Sequence, residues 1–275
     1  MSKFSKEKQM QQKFQQDKIL SKYFDKYEIY GNNYKGHYKI GRREFDFLLQ
    51  HKTEKNKFKI IELKKDEKGC GVFGQILMYV CLLEEYISKN KICAWEEAEI
   101  SIEIIANGIA SGLMDAVLAS GSKGSKIKVK YIEEKKFTKR EDTIKEISGN
   151  DYDSIEYVPK KEKNRIIKLK NENKLLVVWY ENTRKEGAGF YSFDKLLSYI
   201  YKYRKEAIEI SGIIICKEPD SKEQRENQEK LPLTIRGNEI MKEKKIEVGF
   251  WEYKYDEKEL NIKKTWNNLS PQSPN

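Results

Sequence analysis

Apolar positions along the chain fall into short alternating or unbroken runs, separated by polar, glycine-marked connections, and the period of each run predicts its element. Phe14, Ile19, Leu20, Tyr23 and Phe24 form a stripe that predicts a helix over residues 11–27, closed by a Gly31-Asn32-Asn33 turn. EFDFLL (44–49) and KFKIIELK (57–64) read as two strands around a polar connection at 50–56. Residues 75–87 are apolar on most faces and predict a buried helix. A strand over 100–105, a helix over 112–119 and a strand over 127–132 complete an α/β set on one mixed sheet. A weakly periodic stretch rich in Lys, Glu and Asp follows. Beyond it come a strand over 175–180, a helix over 193–208, a strand over 212–216, a charged loop over 219–230 and a strand over 245–255. The expected organisation is an α/β domain over 1–135, a charged linker or insertion over 136–165, a second smaller α/β domain over 166–258 and an unstructured tail over 259–275. No internal repeat stands out.

Composition narrows the classes. The chain of 275 residues is 38% hydrophobic, enough for a core. No apolar run approaches the roughly 20 residues of a membrane helix, and the basic N-terminus lacks a signal-peptide core, so a cytoplasmic protein without membrane contact is expected. Four cysteines make no CxxC pair, and the two histidines are His37 and His51, so zinc chemistry has little to build on. The net charge is +10, with Lys+Arg exceeding Asp+Glu in both halves, 25 to 19 over 1–135 and 29 to 25 over 136–275. Such a field draws in a polyanion, although a lysine-rich solvated surface has the same composition.

One constellation carries chemistry. Side chains alternate along a strand, so Glu62 and Lys64 share a face with Phe58 and Ile60, while Ile61 and Leu63 face the other way. In a hairpin centred near residue 54, Asp46 stands opposite Glu62, and opposed like charges destabilise a sheet unless a cation lies between them. Asp46, Glu62, the Leu63 backbone carbonyl and water suit Mg²⁺, with Mn²⁺ as a substitute. Lys64 beside them can hold a nucleophilic water or stabilise developing negative charge. The plain alternative is an ordinary hairpin whose Glu62 and Lys64 pair with each other, since Glu-x-Lys recurs at Glu133–Lys135 and Glu252–Lys254.

GRREFDFLL, then KIIELKK, then GQILMYV resembles the PD-(D/E)XK nuclease superfamily over about residues 11–132. The closest look is to the nuclease domain of the NucS/EndoMS mismatch endonucleases, with a Gln-x-x-x-Tyr helix as in RecB-like members. The resemblance implies a restriction-endonuclease-like mixed sheet flanked by helices. It makes Asp46 and Glu62 metal ligands and Lys64 the catalytic lysine, with Gln75 and Tyr79 orienting the site or contacting nucleic acid. In many members the first helix adds an acid, for which Asp17 is the candidate here. Arg42 and Arg43 are candidate phosphate contacts.

The expectation is therefore a Mg²⁺-dependent nuclease acting on DNA rather than RNA, in restriction, defence or repair. A homodimer is a compatible arrangement, with residues 166–258 a targeting or dimerisation module. The alternative is a non-catalytic nucleic-acid-binding or assembly protein on the same fold.

Overall fold

The computed structural model describes residues 6–16, 18–30, 38–40, 43–66, 69, 71–121, 128–133, 144–146, 149, 151–157, 166–181, 188–216, 222, 229–255 and 259–267. They divide into two compact bodies, one of residues 1–69, 79–111 and 240–275, the other of 70–78 and 112–239.

The first body holds a mixed six-stranded sheet. Its strands are β1 (Tyr27–Ile29), β4 (Phe47–His51), β5 (Lys57–Lys64), β6 (Glu99–Ala106), β12 (Glu247–Tyr255) and β13 (Leu260–Asn267), in that spatial order. β4 and β5 form an antiparallel hairpin, β5, β6 and β12 run parallel, and β13 returns antiparallel. A small ribbon of β2 (Tyr38–Ile40) and β3 (Arg43–Phe45) precedes the hairpin. Two helices, α1 (Glu7–Gln16) and α2 (Ile19–Tyr23), stand where one was predicted over 11–27; the chain breaks at Lys18, whose φ of 51° is left-handed. Met10 and Phe14 on α1 join Phe47, Leu49, Ile61 and Leu63 in one buried cluster, the face of β5 that the alternation assigned to the core.

The second body holds a five-stranded sheet in the order β7 (Lys128–Glu133), β11 (Glu209–Cys216), β10 (Lys174–Glu181), β9 (Ile166–Lys170) and β8 (Ser154–Tyr157). β9 and β10 form an antiparallel hairpin, while β7, β11 and β10 run parallel. Helix α5 (Ala188–Tyr203) packs on β10 and β11. It comes so close that a Cβ at Gly212 would lie 2.7 Å from the Ile200 side chain. Among the described residues, no helix is long and apolar enough to cross a membrane.

Three expectations about organisation are corrected. Residues 128–133, assigned with 1–135, pair in the second sheet, whereas 247–255, assigned with 166–258, pair in the first. The cause is two crossing connections: α4 (Ser111–Gly121) leads from β6 to β7, and α6 (Lys230–Lys244) leads from β11 to β12, so each excursion ends in the other sheet. The supposed tail 259–275 supplies strand β13, with Leu260 and Ile262 buried in alternation. The supposed linker 136–165 contributes β8, which extends the second sheet beyond β9.

Candidate active site

The β4–β5 register decides how the two acids meet. Phe47 pairs with Ile61 and Leu48 with Ile60, so one step further Asp46 falls opposite Glu62. Asp46 sits in the bend between β3 and β4, where the backbone leaves the ribbon and enters the sheet. Its Oδ2 accepts the Leu63 backbone N–H at 2.7 Å, and its Oδ1 accepts the Gln11 side-chain amide. Glu62 is buried, 1% exposed, and its Oε1 lies 2.7 Å from Lys64 Nζ. Lys64 Nζ is also 3.8 Å from Glu7 Oε2.

Burial dominates the electrostatics. It pushes the Glu62 carboxyl up to about 8, with the Asp46 carboxylate adding to the rise and Lys64 opposing it. Burial likewise raises Asp46, against the pull of Lys64, the Leu63 N–H and Gln11. For Lys64 burial alone would favour the neutral amine, but the carboxylates of Glu62 and Asp46 outweigh it and raise its pKa, so it stays charged. Two acids and one lysine thus share a desolvated corner with one positive charge between them.

Two members of this group escaped the sequence reading, Glu7 and Gln11. With Met10 and Phe14 they occupy positions i, i+3, i+4 and i+7 of α1, one helix face. The packing of Met10 and Phe14 thereby aims Glu7 and Gln11 at the end of β5. The signal was present as a Glu and a Gln inside the apolar stripe, but the charged run before Gln11 hid the helix start. Glu7 is a first-helix acid that reaches the group, whereas the predicted Asp17 lies outside the described residues.

Tyr79 is buried, its ring centroid 4.5 Å from that of Phe45, so it packs behind the bend that presents Asp46 rather than facing solvent. Gln75, half-buried near the start of α3 (Gly71–Asn90), belongs to the second body, whereas Tyr79 four residues on belongs to the first. Arg43 lies on β3, and Arg42 and His37 lie outside the described residues. Glu252 and Lys254 are exposed on β12, where their cross-strand partners are Lys263 and Asn261.

No family model, curated protein or solved structure matches this chain. Among the described residues, no three His, Cys, Asp or Glu side chains are grouped closely enough to hold a metal ion. A cation nevertheless fits the donor chemistry of the corner. Glu62 is buried with its charge disfavoured and faces a second carboxylate, a penalty that a hard divalent ion would remove.

Proposed function

We propose that the protein is a divalent-metal-dependent nuclease that hydrolyses phosphodiester bonds, with DNA the favoured substrate through the resemblance to PD-(D/E)XK enzymes. The observation that carries the proposal is the alignment of Asp46 opposite Glu62 with Lys64 Nζ 2.7 Å from the Glu62 carboxylate. Asp46, Glu62 and the Leu63 carbonyl would hold Mg²⁺ or Mn²⁺, with the Glu7 carboxylate 3.8 Å from Lys64 Nζ. The ion would supply an activated water and charge neutralisation at phosphorus.

The chain's own residues have defined tasks. Gln11 and the Leu63 N–H fix both oxygens of Asp46, which holds its carboxylate towards the end of β5. Lys64 remains cationic and stabilises negative charge building on the phosphoryl oxygens. Tyr79 braces the bend through Phe45. Gln75 would act on affinity or orientation.

The test is incubation with single- and double-stranded DNA and RNA, in Mg²⁺, Mn²⁺ or EDTA, beside Glu62→Ala. Cleavage that needs metal and disappears in the variant supports the proposal; full activity in Glu62→Ala overturns it. One observation favours a second reading, a non-catalytic nucleic-acid-binding protein: the Glu62 carboxylate is already engaged by Lys64, as in a structural ion pair. Metal-independent binding with no cleavage would establish that reading.

A further inference from the structure

The two sheets carry the same series of elements. In the first, hairpin β4–β5 leads through α3 to β6, parallel to β5; in the second, hairpin β9–β10 leads through α5 to β11, parallel to β10. Spacing is kept as well. β5 begins at Lys57 and β10 at Lys174, α3 at Gly71 and α5 at Ala188, so both elements recur 117 positions later. The registers agree residue for residue: Lys57 pairs with Glu99 as Lys174 pairs with Glu209. They agree again one strand further, where Ser101 pairs with Glu247 as Ser211 pairs with Lys128. β6 reads EISIEIIA and β11 reads EISGIIIC, with the same Glu-Ile-Ser opening and the same later Ile-Ile. Leu49, Ile61 and Ile105 of one buried cluster stand where Leu169, Val178 and Ile215 stand in the other. Even the edges match, with β1 antiparallel to β4 and β8 antiparallel to β9.

This shared frame locates the counterparts of the candidate centre. Glu62 pairs with Ile104 and its counterpart Trp179 with Ile214; Lys64 pairs with Ala106 and its counterpart Glu181 with Cys216. The position opposite Trp179, where Asp46 would stand, is Ile166. Ile166 and Trp179 are fully buried apolar side chains. Neither position retains a carboxylate, and the lysine position carries an acid.

We infer that the chain is two copies of one unit, fused in tandem with their last strands exchanged, and that only the first copy keeps a hydrolytic centre, so that the protein nicks one strand of duplex DNA per binding event. The duplication stands on element order, spacing and register; the nicking rests on the nuclease reading above. In the reaction a water oxygen bonds to phosphorus, the bond from phosphorus to one sugar oxygen breaks, and that oxygen takes up a proton. Opposite strands of a duplex present this bond in opposite polarity, so one centre serves one strand until the protein releases and rebinds.

The experiment uses the full chain at limiting concentration on supercoiled plasmid with Mg²⁺ or Mn²⁺, beside Glu62→Gln and Glu181→Gln. The expected result is accumulation of nicked circles, with linear DNA appearing only after a lag. Glu181→Gln should leave the nicking rate within about twofold of wild type, an effect under about 0.5 kcal/mol, while Glu62→Gln should abolish it. Linear product formed without a lag overturns the single-centre inference and leaves the nuclease reading intact. Loss of cleavage in a folded Glu181→Gln protein shows a working second centre and also overturns it. Absence of cleavage on every nucleic acid overturns the nuclease reading, and the nicking with it.

Discussion

At equivalent positions of the two sheets, the first holds a buried ion pair and the second holds two aliphatic side chains. Lys59 Nζ lies 2.8 Å from Glu103 Oε1, with both residues under 10% exposed; their counterparts are Leu176 and Ile213. The indole N–H of Trp251 donates to the other Glu103 oxygen at 2.7 Å, and Lys264 lies 3.7 Å from it. Gly249 makes the room, since a Cβ there would come 1.9 Å from Glu103 Oε2. The second sheet fills these two positions with apolar side chains and keeps its own buried lysine elsewhere, Lys168 on β9, 2.9 Å from Glu156 and 3.3 Å from Glu206. What the network adds is a fixed Trp251, which meets Tyr23 and Phe24 edge to face at 6.1 and 5.5 Å and so anchors the end of α2. The Glu103 network thus lies in the half that must seat a first helix bearing Glu7 and Gln11.

The largest expected effect comes from breaking that pair. Lys59→Ala leaves Glu103 buried with less compensation and should cost about 3–5 kcal/mol in chemical denaturation. The double change Lys59→Leu with Glu103→Ile imports the second sheet's solution, and should lie within about 2 kcal/mol of wild type after the loss of the Trp251 hydrogen bond. A double variant as unstable as Lys59→Ala would show that the sheets are not interchangeable at these positions.

Next in size is the chemistry. Lys64→Ala and Asp46→Asn should each lower the cleavage rate by about 10²–10³-fold at saturating substrate with little change in DNA affinity. A Lys64→Ala protein within a few-fold of wild type would reduce the lysine to the structural partner of Glu62.

A pH profile sharpens the comparison further, because the second sheet has no buried acid at the position of Glu62. The folded protein holds the Glu62 proton up to about 8, whereas the unfolded chain releases it near the ordinary value of 4.5. Its contribution to stability is therefore full below the unfolded value and is lost as pH rises through the folded one. Melting temperature without metal should fall between about pH 4.5 and about pH 8, and Mg²⁺ should reverse more of that fall at the upper end. An equal Mg²⁺ effect at both ends would separate the metal from Glu62. The smallest effect is that of Gln11→Ala, which frees one oxygen of Asp46 and should cost about 1–2 kcal/mol, read as a lowered melting temperature.

The hairpin was legible in detail because its evidence is local. Alternation fixed the faces of β5, and the length of the polar connection fixed the register that sets Asp46 against Glu62. The Glu103 network was not legible, because its members come from β5, β6, β12 and β13, and no short-range pattern links positions so far apart. The exchange of β7 and β12 was hidden for the same reason, since a strand is ordinarily assigned to the sheet of its neighbours in sequence. The repeat was visible only as EIS…II at two places, too little without the strand registers. Glu7 was missed through a misplaced helix start, the least reliable feature of any pattern reading.

The exchanged strands also set a timetable for biosynthesis. The second half of the hairpin that carries Glu62 and Lys64 is complete at residue 64, yet β12, the strand beside β6, ends only at residue 255. Its Tyr253 hydroxyl donates to the Lys65 carbonyl just past β5, a contact that does not exist until then. At about 5–20 residues per second a ribosome takes roughly 10–40 s to cover that interval. Throughout it the first sheet lacks a central member, and the corner at the end of β5 lacks its brace. A nascent chain therefore carries Asp46, Glu62 and Lys64 well before the sheet around them is complete, and a prematurely terminated product lacks β12.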